Sequence, residues 1–312
     1  MARMFPNILL GLLSGLAPAL SQGQVQTPAL GQTPYQVSVE ADVVYATAPG
    51  YWSHAPADVG LGQLPQMLAK TRQPRPLDLH MDIYSPSGDT SGRRPLLLML
   101  HGGAYWMGNK NEPGQVEWCR HFASLGYVAA SIDYRLGFPL RRDSVTQAEQ
   151  AAAEDAARAL TYLLGRADLQ IDPDRVFVAG TSAGATVALT LAFAPPDGMP
   201  ACRIRAVGNL WGYVRDTGIL ENARTPIIAF QSRRDPVVPF QAGVPLRAKA
   251  LVGRVYGTYG TGLKARELGI RYDLYPCPER RHRLHLDKEG AFTLRFYEIR
   301  DRLAAFFAEF QE

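Results

Sequence analysis

The pentapeptide GTSAG at residues 180–184 constrains this chain more than any other feature. It follows an apolar run at residues 176–179 and precedes a helix-favouring segment at residues 183–194. A buried strand that turns sharply at a serine into a helix is the setting of a nucleophile elbow. Glycines suit this turn because strand and helix nearly collide there, and side chains would not fit. The pattern therefore predicts that Ser182 is a nucleophile at the end of a buried strand.

The first residues have the composition of an export signal. Arg3 precedes a short apolar stretch at residues 8–16, and small residues follow it. The stretch is too short for a good membrane span, although an uncleaved anchor helix remains an alternative. We therefore expect residues 1–21 to be a signal peptide and residues 22–35 to be a flexible lead. The expected location is secreted or periplasmic, without stable membrane association.

The rest of the chain, residues 36–312, has the composition of one globular domain. The whole chain of 312 residues contains 46% hydrophobic and 20% charged residues, so it is long enough to bury a sizeable core. Its formal charge of +4 is spread along the sequence without a basic run, which argues against a nucleic-acid partner. Cys119, Cys202 and Cys277 allow at most one disulfide, and buried free thiols are the alternative.

Hydrophobic periodicity predicts antiparallel strands first and repeated strand–helix units afterwards. The early strands are expected at residues 36–48 and 78–84, and a strand buried on both faces at residues 95–100. The later strands are expected at 127–132, 175–179, 204–210, 226–230 and 270–275, and the helical segments at 148–164, 183–194, 248–268 (in part) and 292–310. This order predicts an α/β fold, with a mostly parallel central sheet, helices on both faces and small loop insertions as a cap.

A glycine-rich segment, HGGA at residues 101–104, directly follows the strand at residues 95–100. Such a loop lets bare backbone N–H groups face a developing oxyanion. The expected donors are the N–H groups of Gly103 and Ala104 and that of Ala183, the residue after the serine. His101 is expected to support the backbone of this loop rather than to act as a base.

Serine needs a base, and the base needs an acid that orients it. Asp235 comes just after the strand at residues 226–230, so it is the predicted acid. The rival carboxylates are Asp133, Glu154, Asp155, Asp172 and Asp174. Two histidines lie in the loop before the final helix. His282 is favoured as the base because it comes sooner after the last strand, and His285 remains the alternative.

The chain order Ser182, Asp235, His282 is that of the α/β-hydrolase fold. The segments HGGAYWMG, DYRLGFP, IDPDRVFVAGTSAG and DPVVP resemble the carboxylesterase branch of this superfamily. Its HGGxW members include bacterial carboxylesterases, feruloyl and acetylxylan esterases and kynurenine formamidases. The resemblance implies a serine carboxylic-ester hydrolase that works through an acyl-enzyme without a metal or organic cofactor. The implied substrates are short-chain or aromatic esters, either small molecules or polymer-linked.

Two alternatives to the esterase stay open. One is an aryl formamidase or a peptidase on the same machinery, and the other is a catalytically inactive binding module.

Aromatic and basic residues near the site give hypotheses about the substrate. Tyr105, Trp106 and Trp211 with its neighbour Tyr213 follow strands and either wall the substrate pocket or pack in the core. Five arginines flank the predicted acid and base, and they form either a solvated loop pattern or a positive rim that attracts acidic substrates. They are Arg233, Arg234, Arg280, Arg281 and Arg283.

Overall fold

The alternating strands and helices form an eight-stranded, mostly parallel sheet in this computed structural model. The structure describes residues 35–54, 69–89, 92–139, 141, 143–245 and 252–312. The strands are β1 (Gln36–Gly50), β2 (Arg75–Ser87), β3 (Arg94–Leu100), β4 (Val128–Ile132), β5 (Ile171–Thr181), β6 (Ile204–Leu210), β7 (Ile227–Ser232), β8 (Ala242–Gly243), β9 (Val255–Tyr256) and β10 (Tyr272–Cys277). The large sheet has the order β1-β2-β4-β3-β5-β6-β7-β10, while β8 and β9 pair separately. Within the large sheet only the pairs β1–β2 and β2–β4 are antiparallel.

Helices cover both faces of this sheet. They are α1 (Pro113–Ser124), α2 (Ser144–Gly165), α3 (Ala183–Phe193), α4 (Thr258–Glu267) and α5 (Leu294–Ala308). Strand β3 shows how the two faces are built, because successive side chains of a strand point to opposite faces. Leu96, Leu98 and Leu100 pack in the core cluster that includes α2 and α3. Leu97 and Met99 pack in the cluster that includes α1 and α5. The predicted burial of this strand on both faces therefore matches the structure.

Several helices and strands begin or end at residues other than those predicted from the sequence. Helix α2 begins at Ser144, four residues before the expected start, and the strand predicted at residues 175–179 extends from Ile171 to Thr181. Helix α1 was not predicted, because its first turn contains Pro113 and Gly114 and its buried residues are interleaved with polar ones. The segment predicted to be partly helical at residues 248–268 is helical at Thr258–Glu267, within its described part.

The proposed signal peptide, residues 1–21, lies outside the described residues, and Tyr35 is the one described residue of the proposed lead. No helix in the described ranges is long and apolar enough to cross a membrane. All three cysteines are described and each is a free thiol, so the alternative of one disulfide is wrong for this structure. Cys119 and Cys277 are buried in the core, and burial raises the pKa of Cys277 to about 11.

The parallel strands bring their carboxyl ends to one edge of the sheet. Strands β3, β5, β7 and β10 end at Leu100, Thr181, Ser232 and Cys277, respectively. Open α/β sheets bind ligands at this edge. The loops that follow these four strands carry the residues described next.

Candidate active site

Ser182 lies at the apex of a strained turn between β5 and α3. Its φ is 51° and its ψ is −115°, a conformation that costs a non-glycine residue about 1–3 kcal/mol. The Ser182 N–H donates to the carbonyl of Leu210 on β6 (2.8 Å), which helps to hold this conformation. A Cβ on Gly180 would lie 2.4 Å from the carbonyl carbon of Gly184, and one on Gly184 would lie 2.2 Å from the carbonyl oxygen of Leu100. The turn therefore requires both glycines of the pentapeptide.

The structure brings Ser182, His282 and Asp235 into one hydrogen-bonded array. The Ser182 Oγ lies 2.8 Å from His282 Nε2, and His282 Nδ1 lies 2.8 Å from Asp235 Oδ2. The side chain of Asp235 is 0% exposed and that of His282 is 14% exposed, so the array opens to solvent at the histidine end. The three residues come from the loops after β5, β7 and β10.

Hydrogen bonds from two backbone N–H groups and one side-chain amide hold the carboxylate of Asp235 in place against His282. Its Oδ1 accepts hydrogen bonds from the N–H groups of Val237 (2.8 Å) and Val238 (3.1 Å). Its Oδ2 accepts one from Gln231 Nε2 (3.2 Å) in addition to the contact with His282. A carboxylate that accepts from all sides favours the tautomer in which His282 carries its proton on Nδ1. Nε2 is then free to accept the hydroxyl proton of Ser182.

His285, the alternative base, lies elsewhere. It is buried, with its ring 5.3 Å from the rings of both Trp118 and Trp211. Burial, with smaller contributions from the charges of Arg283 and His282, lowers the pKa of His285 to about 3. The structure places His282, and not His285, against Ser182.

The rival carboxylates are also held elsewhere. Asp133 accepts from the N–H of Lys110 (2.7 Å), and Asp155 accepts from the guanidinium of Arg135 (2.8 Å). Asp172 lies near the start of β5, at the opposite end of the strand from the serine. Glu154 also pairs with Arg135, and Asp174 lies within ion-pair distance of Arg93.

The glycine-rich loop after β3 runs beside the serine. A Cβ on Gly102 would lie 3.3 Å from the Cβ of Ser182. Gly103 and Ala104 have φ values of 115° and 54°, which turn the backbone sharply at this point. Among the described residues, no acceptor binds the N–H groups of Gly103, Ala104 and Ala183. Ala183 is also the first residue of α3. The N–H groups at the start of a helix lack partners within the helix, and the helix dipole favours negative charge there.

His101 supports this loop from beneath. Its ring is buried and stacked on Tyr134, with 4.2 Å between ring centroids, and burial lowers the pKa of His101 to about 4. The neutral ring places Nδ1 2.7 Å from the carbonyl oxygen of Gly102, and Tyr134 donates its hydroxyl proton to the carbonyl of His101 (2.8 Å). His101 is thus fixed against backbone and does not contact the serine.

Two recesses meet at Ser182. One, called here the apolar pocket, has a volume of about 160 Å³, and its walls include Trp106, Phe138, Val145 and Tyr213. The other, called here the wide cleft, has a volume of about 820 Å³. Its lining includes His282 together with Glu112, Arg280, Arg281, Arg283, Asp287 and Lys288. Among the described residues, no group of three or more His, Cys, Asp or Glu side chains is arranged to hold a metal ion.

The predicted substrate-contacting aromatics separate into two groups. Tyr105 and Trp106 line the apolar pocket, where the Tyr105 hydroxyl donates to the carbonyl of Ala183 (3.2 Å). Trp211 lines the wide cleft, where its buried ring stacks on His285. Tyr213, two residues further along, reaches the apolar pocket instead.

Sequence reasoning missed several residues that line these recesses, including Phe138, Val145 and Glu112. Phe138, Val145 and Glu112 come from a loop, the first turn of α2 and the residue before α1. Burial raises the pKa of Glu112 to about 7, against the opposing charge of Arg283. None of the three follows a strand directly, so the strand-end rule that located the other residues gives no signal for them.

Comparison with known proteins finds a matching family model and several similar proteins. The BD-FAE family model matches residues 81–198, a segment that contains both the glycine-rich loop and the elbow. The chain is similar to the non-reducing polyketide synthases pkbA of Emericella nidulans (33% identity over 136 residues) and mapC' of Penicillium brevicompactum (35% over 135 residues). Each match covers 40% of this chain but only 5% and 6% of those proteins, respectively.

Solved structures of esterase 2 from Thermogutta terrifontis have the same fold. The form phosphoramylated by tabun has a TM-score of 0.60 at 18% identity and covers 90% of this chain and 97% of that one. The butyrate-bound form has a TM-score of 0.55 at 19% identity and covers 75% and 90%, respectively. The fold is therefore that of esterase-type hydrolases, and the resemblance drawn from the sequence motifs is confirmed. The chain therefore has the α/β-hydrolase fold that its sequence predicts.

Proposed function

We propose that this chain is a serine carboxylesterase that hydrolyses esters through an acyl-enzyme on Ser182. The observation that carries the proposal is the hydrogen-bonded array of Ser182, His282 and Asp235 at a strained elbow. An unassisted serine hydroxyl is a weak nucleophile near neutral pH, and such an array supplies the base that it lacks.

The geometry supports each proton transfer in turn. His282 Nε2 takes the hydroxyl proton as Ser182 Oγ bonds to the ester carbonyl carbon, and the buried Asp235 stabilises the imidazolium that forms. The N–H groups of Gly103, Ala104 and Ala183 receive the negative charge that develops on the carbonyl oxygen. His282 then gives the proton to the leaving alcohol oxygen as the acyl C–O bond breaks. Water repeats the sequence and releases the acid.

The apolar pocket supports a compact acyl group. His282 must reach the leaving oxygen, so the alcohol portion lies on the side of the histidine and the acyl chain on the other side. The apolar pocket borders Ser182 and Ala183 but not His282, which supports its role as the site of the acyl chain. A dry cavity of about 150 Å³ holds one benzene molecule, so a pocket of about 160 Å³ suits a short acyl chain or a single aromatic ring.

The proposal extends to location. The basic start and short apolar stretch within residues 1–21 favour export, so the enzyme is proposed to act in a secreted or periplasmic setting. Expression of the full chain with analysis of the mature N-terminus tests this part. An unprocessed protein in the cytosolic fraction contradicts it without affecting the chemistry.

A fluorophosphonate probe tests the nucleophile directly. We expect the probe to label the wild type and the Ser124→Ala variant, whose changed serine lies on α1, and to leave folded Ser182→Ala unlabelled. A panel of acetyl ester, N-formyl anilide and peptide anilide then separates the esterase from the formamidase and the peptidase. Labelling that survives Ser182→Ala, or turnover confined to an amide substrate, contradicts the proposal. A folded wild type that neither reacts nor turns over supports the inactive module instead.

A further inference from the structure

The wide cleft carries an excess of positive charge beside the proposed base. Arg280, Arg281, Arg283 and Lys288 line it. Arg280, Arg283 and Lys288 are exposed and form no ion pair with any residue in the described part of the chain. Arg281 donates to the carbonyl of Leu286 (3.2 Å) and forms no ion pair among the described residues.

The carboxylates in the same cleft offset little of this charge. Burial raises the pKa of Glu112 to about 7, so a large fraction of this side chain is protonated at neutral pH. The Asp287 carboxylate accepts hydrogen bonds from the N–H groups of Glu289 (3.0 Å) and Ala291 (2.8 Å) and is directed into its own turn. An anionic ligand in the cleft therefore meets Arg280, Arg283 and Lys288, which form no ion pair with any described residue.

The position of His282 decides which part of an ester meets these cations. His282 lines the wide cleft and is absent from the lining of the apolar pocket. Because the histidine protonates the leaving oxygen, the alcohol portion of the ester extends into the wide cleft. Its volume of about 820 Å³ lies in the range of binding sites for small organic molecules.

We propose that the wide cleft is a subsite for a carboxylate on the alcohol portion of the ester, bound by Arg280 and Arg283. This inference rests on the proposed esterase function and narrows its substrates to esters of hydroxy acids. Planar guanidinium groups match a carboxylate through paired N–H donors, which supplies orientation as well as charge attraction.

A matched pair of acetyl esters tests the subsite. 4-Acetoxyphenylacetate and 4-acetoxyphenylacetamide share the acyl group and a nearly identical phenol, and they differ in charge at the far end. We expect wild-type kcat/KM at low salt to be about fivefold higher for the anion, mainly through KM, given that an exposed charge pair contributes about 0.2–1 kcal/mol. At 1 M NaCl the Debye length falls to about 3 Å, and the two values should converge.

The double variant Arg280→Gln/Arg283→Gln should remove the preference while retaining turnover of the neutral ester. Arg203→Gln is the control, because Arg203 is exposed just before β6, at the opposite end of the parallel strands from Ser182. It removes one positive charge, against two in the double variant, and should leave the preference intact. Equal values for the two esters in the wild type, or a preference that survives the double substitution, overturn the subsite.

A binding measurement separates this inference from the esterase proposal. Ser182→Ala should bind the product 4-hydroxyphenylacetate more tightly than 4-hydroxyphenylacetamide, and the two arginine substitutions should abolish the difference. This readout holds even if the wild type hydrolyses neither ester, an outcome that contradicts the esterase proposal alone. Equal binding of the two products overturns the subsite even if the wild type is an efficient esterase.

Discussion

The length of the acyl chain should determine the rate of this enzyme through the volume of the apolar pocket. Each buried methylene contributes about 0.8 kcal/mol, and a difference of about 1.4 kcal/mol is a factor of ten. We therefore expect kcat/KM to rise about fourfold for each added methylene while the chain still fits. At about 160 Å³ the pocket holds about as many carbons as one benzene ring, so the rise should end between butyrate and hexanoate.

The same limit applies to aromatic acyl groups. A benzoyl group places one ring in the pocket between Trp106, Phe138 and Tyr213. A cinnamoyl group is longer by two carbons and must either protrude or displace a wall. Because extra volume in a packed site costs about 1–3 kcal/mol, the cinnamoyl ester should be about tenfold or more slower than the benzoyl ester with the same alcohol.

A substitution that fills the apolar pocket tests directly whether this pocket binds the acyl chain. Val145 lies in the first turn of α2 with its side chain buried at the wall of the apolar pocket. Val145→Phe should shift the preferred substrate to acetate and lower hexanoate turnover about a hundredfold, while acetate turnover changes little. Val44→Phe is the control, because Val44 is exposed on the edge strand β1. An optimum at octanoate or longer in the wild type, or an unchanged profile in Val145→Phe, refutes the assignment of this pocket to the acyl chain.

Three further outcomes follow from the contacts of the site. Asp235→Asn should lower kcat by about 10⁴ in steady-state assays, because an amide donates to His282 and favours the wrong tautomer; a smaller loss than about tenfold would contradict the role of the acid. Since the pKa of Glu112 is raised from 4.5 to about 7, the free energy of unfolding of the wild type should fall as pH rises through this interval. In urea unfolding, the Glu112→Gln variant should be about 3 kcal/mol more stable than the wild type above pH 8 and equally stable at pH 4. Parallel stability curves would contradict the burial of this carboxyl group. Gly184→Ala should lose more than about 3 kcal/mol or fail to fold, whereas Gly165→Ala, where a Cβ meets nothing within 4 Å, should keep its melting temperature within a few degrees.

Much of the sheet and the elbow could be predicted because their signals are local. The run at residues 95–100 is uninterrupted and apolar, and it forms a central strand with both faces covered. The elbow is marked by two glycines, because a Cβ at either position would lie only 2.2–2.4 Å from a backbone atom. The strand boundaries and the start of α2 were less accurate, because tertiary pairing extends elements beyond their own hydrophobic pattern.

The walls of the recesses depend on contacts between distant segments. Phe138 and Tyr213 face the same small volume although they are 75 residues apart in the chain. Trp211 and Tyr213 are equivalent candidates in the sequence, yet Trp211 lines the wide cleft and stacks on His285, whereas Tyr213 lines the apolar pocket. Which recess each of these two aromatics lines is set by the backbone turn between them, and Trp211 has a φ of 52° that no hydrophobic pattern encodes.

The two recesses are linked to the base in different ways. The wide cleft takes His282, Arg280 and Arg283 from one short loop after β10, so an insertion or deletion in this loop alters both the base and the charge around the alcohol. The apolar pocket takes Phe138 from the loop after β4 and Val145 from the first turn of α2, and neither residue contributes an atom to the hydrogen-bonded array. Acyl specificity can therefore change by substitution without moving the base. Alcohol specificity cannot change as freely, because the cations and the histidine share one stretch of backbone.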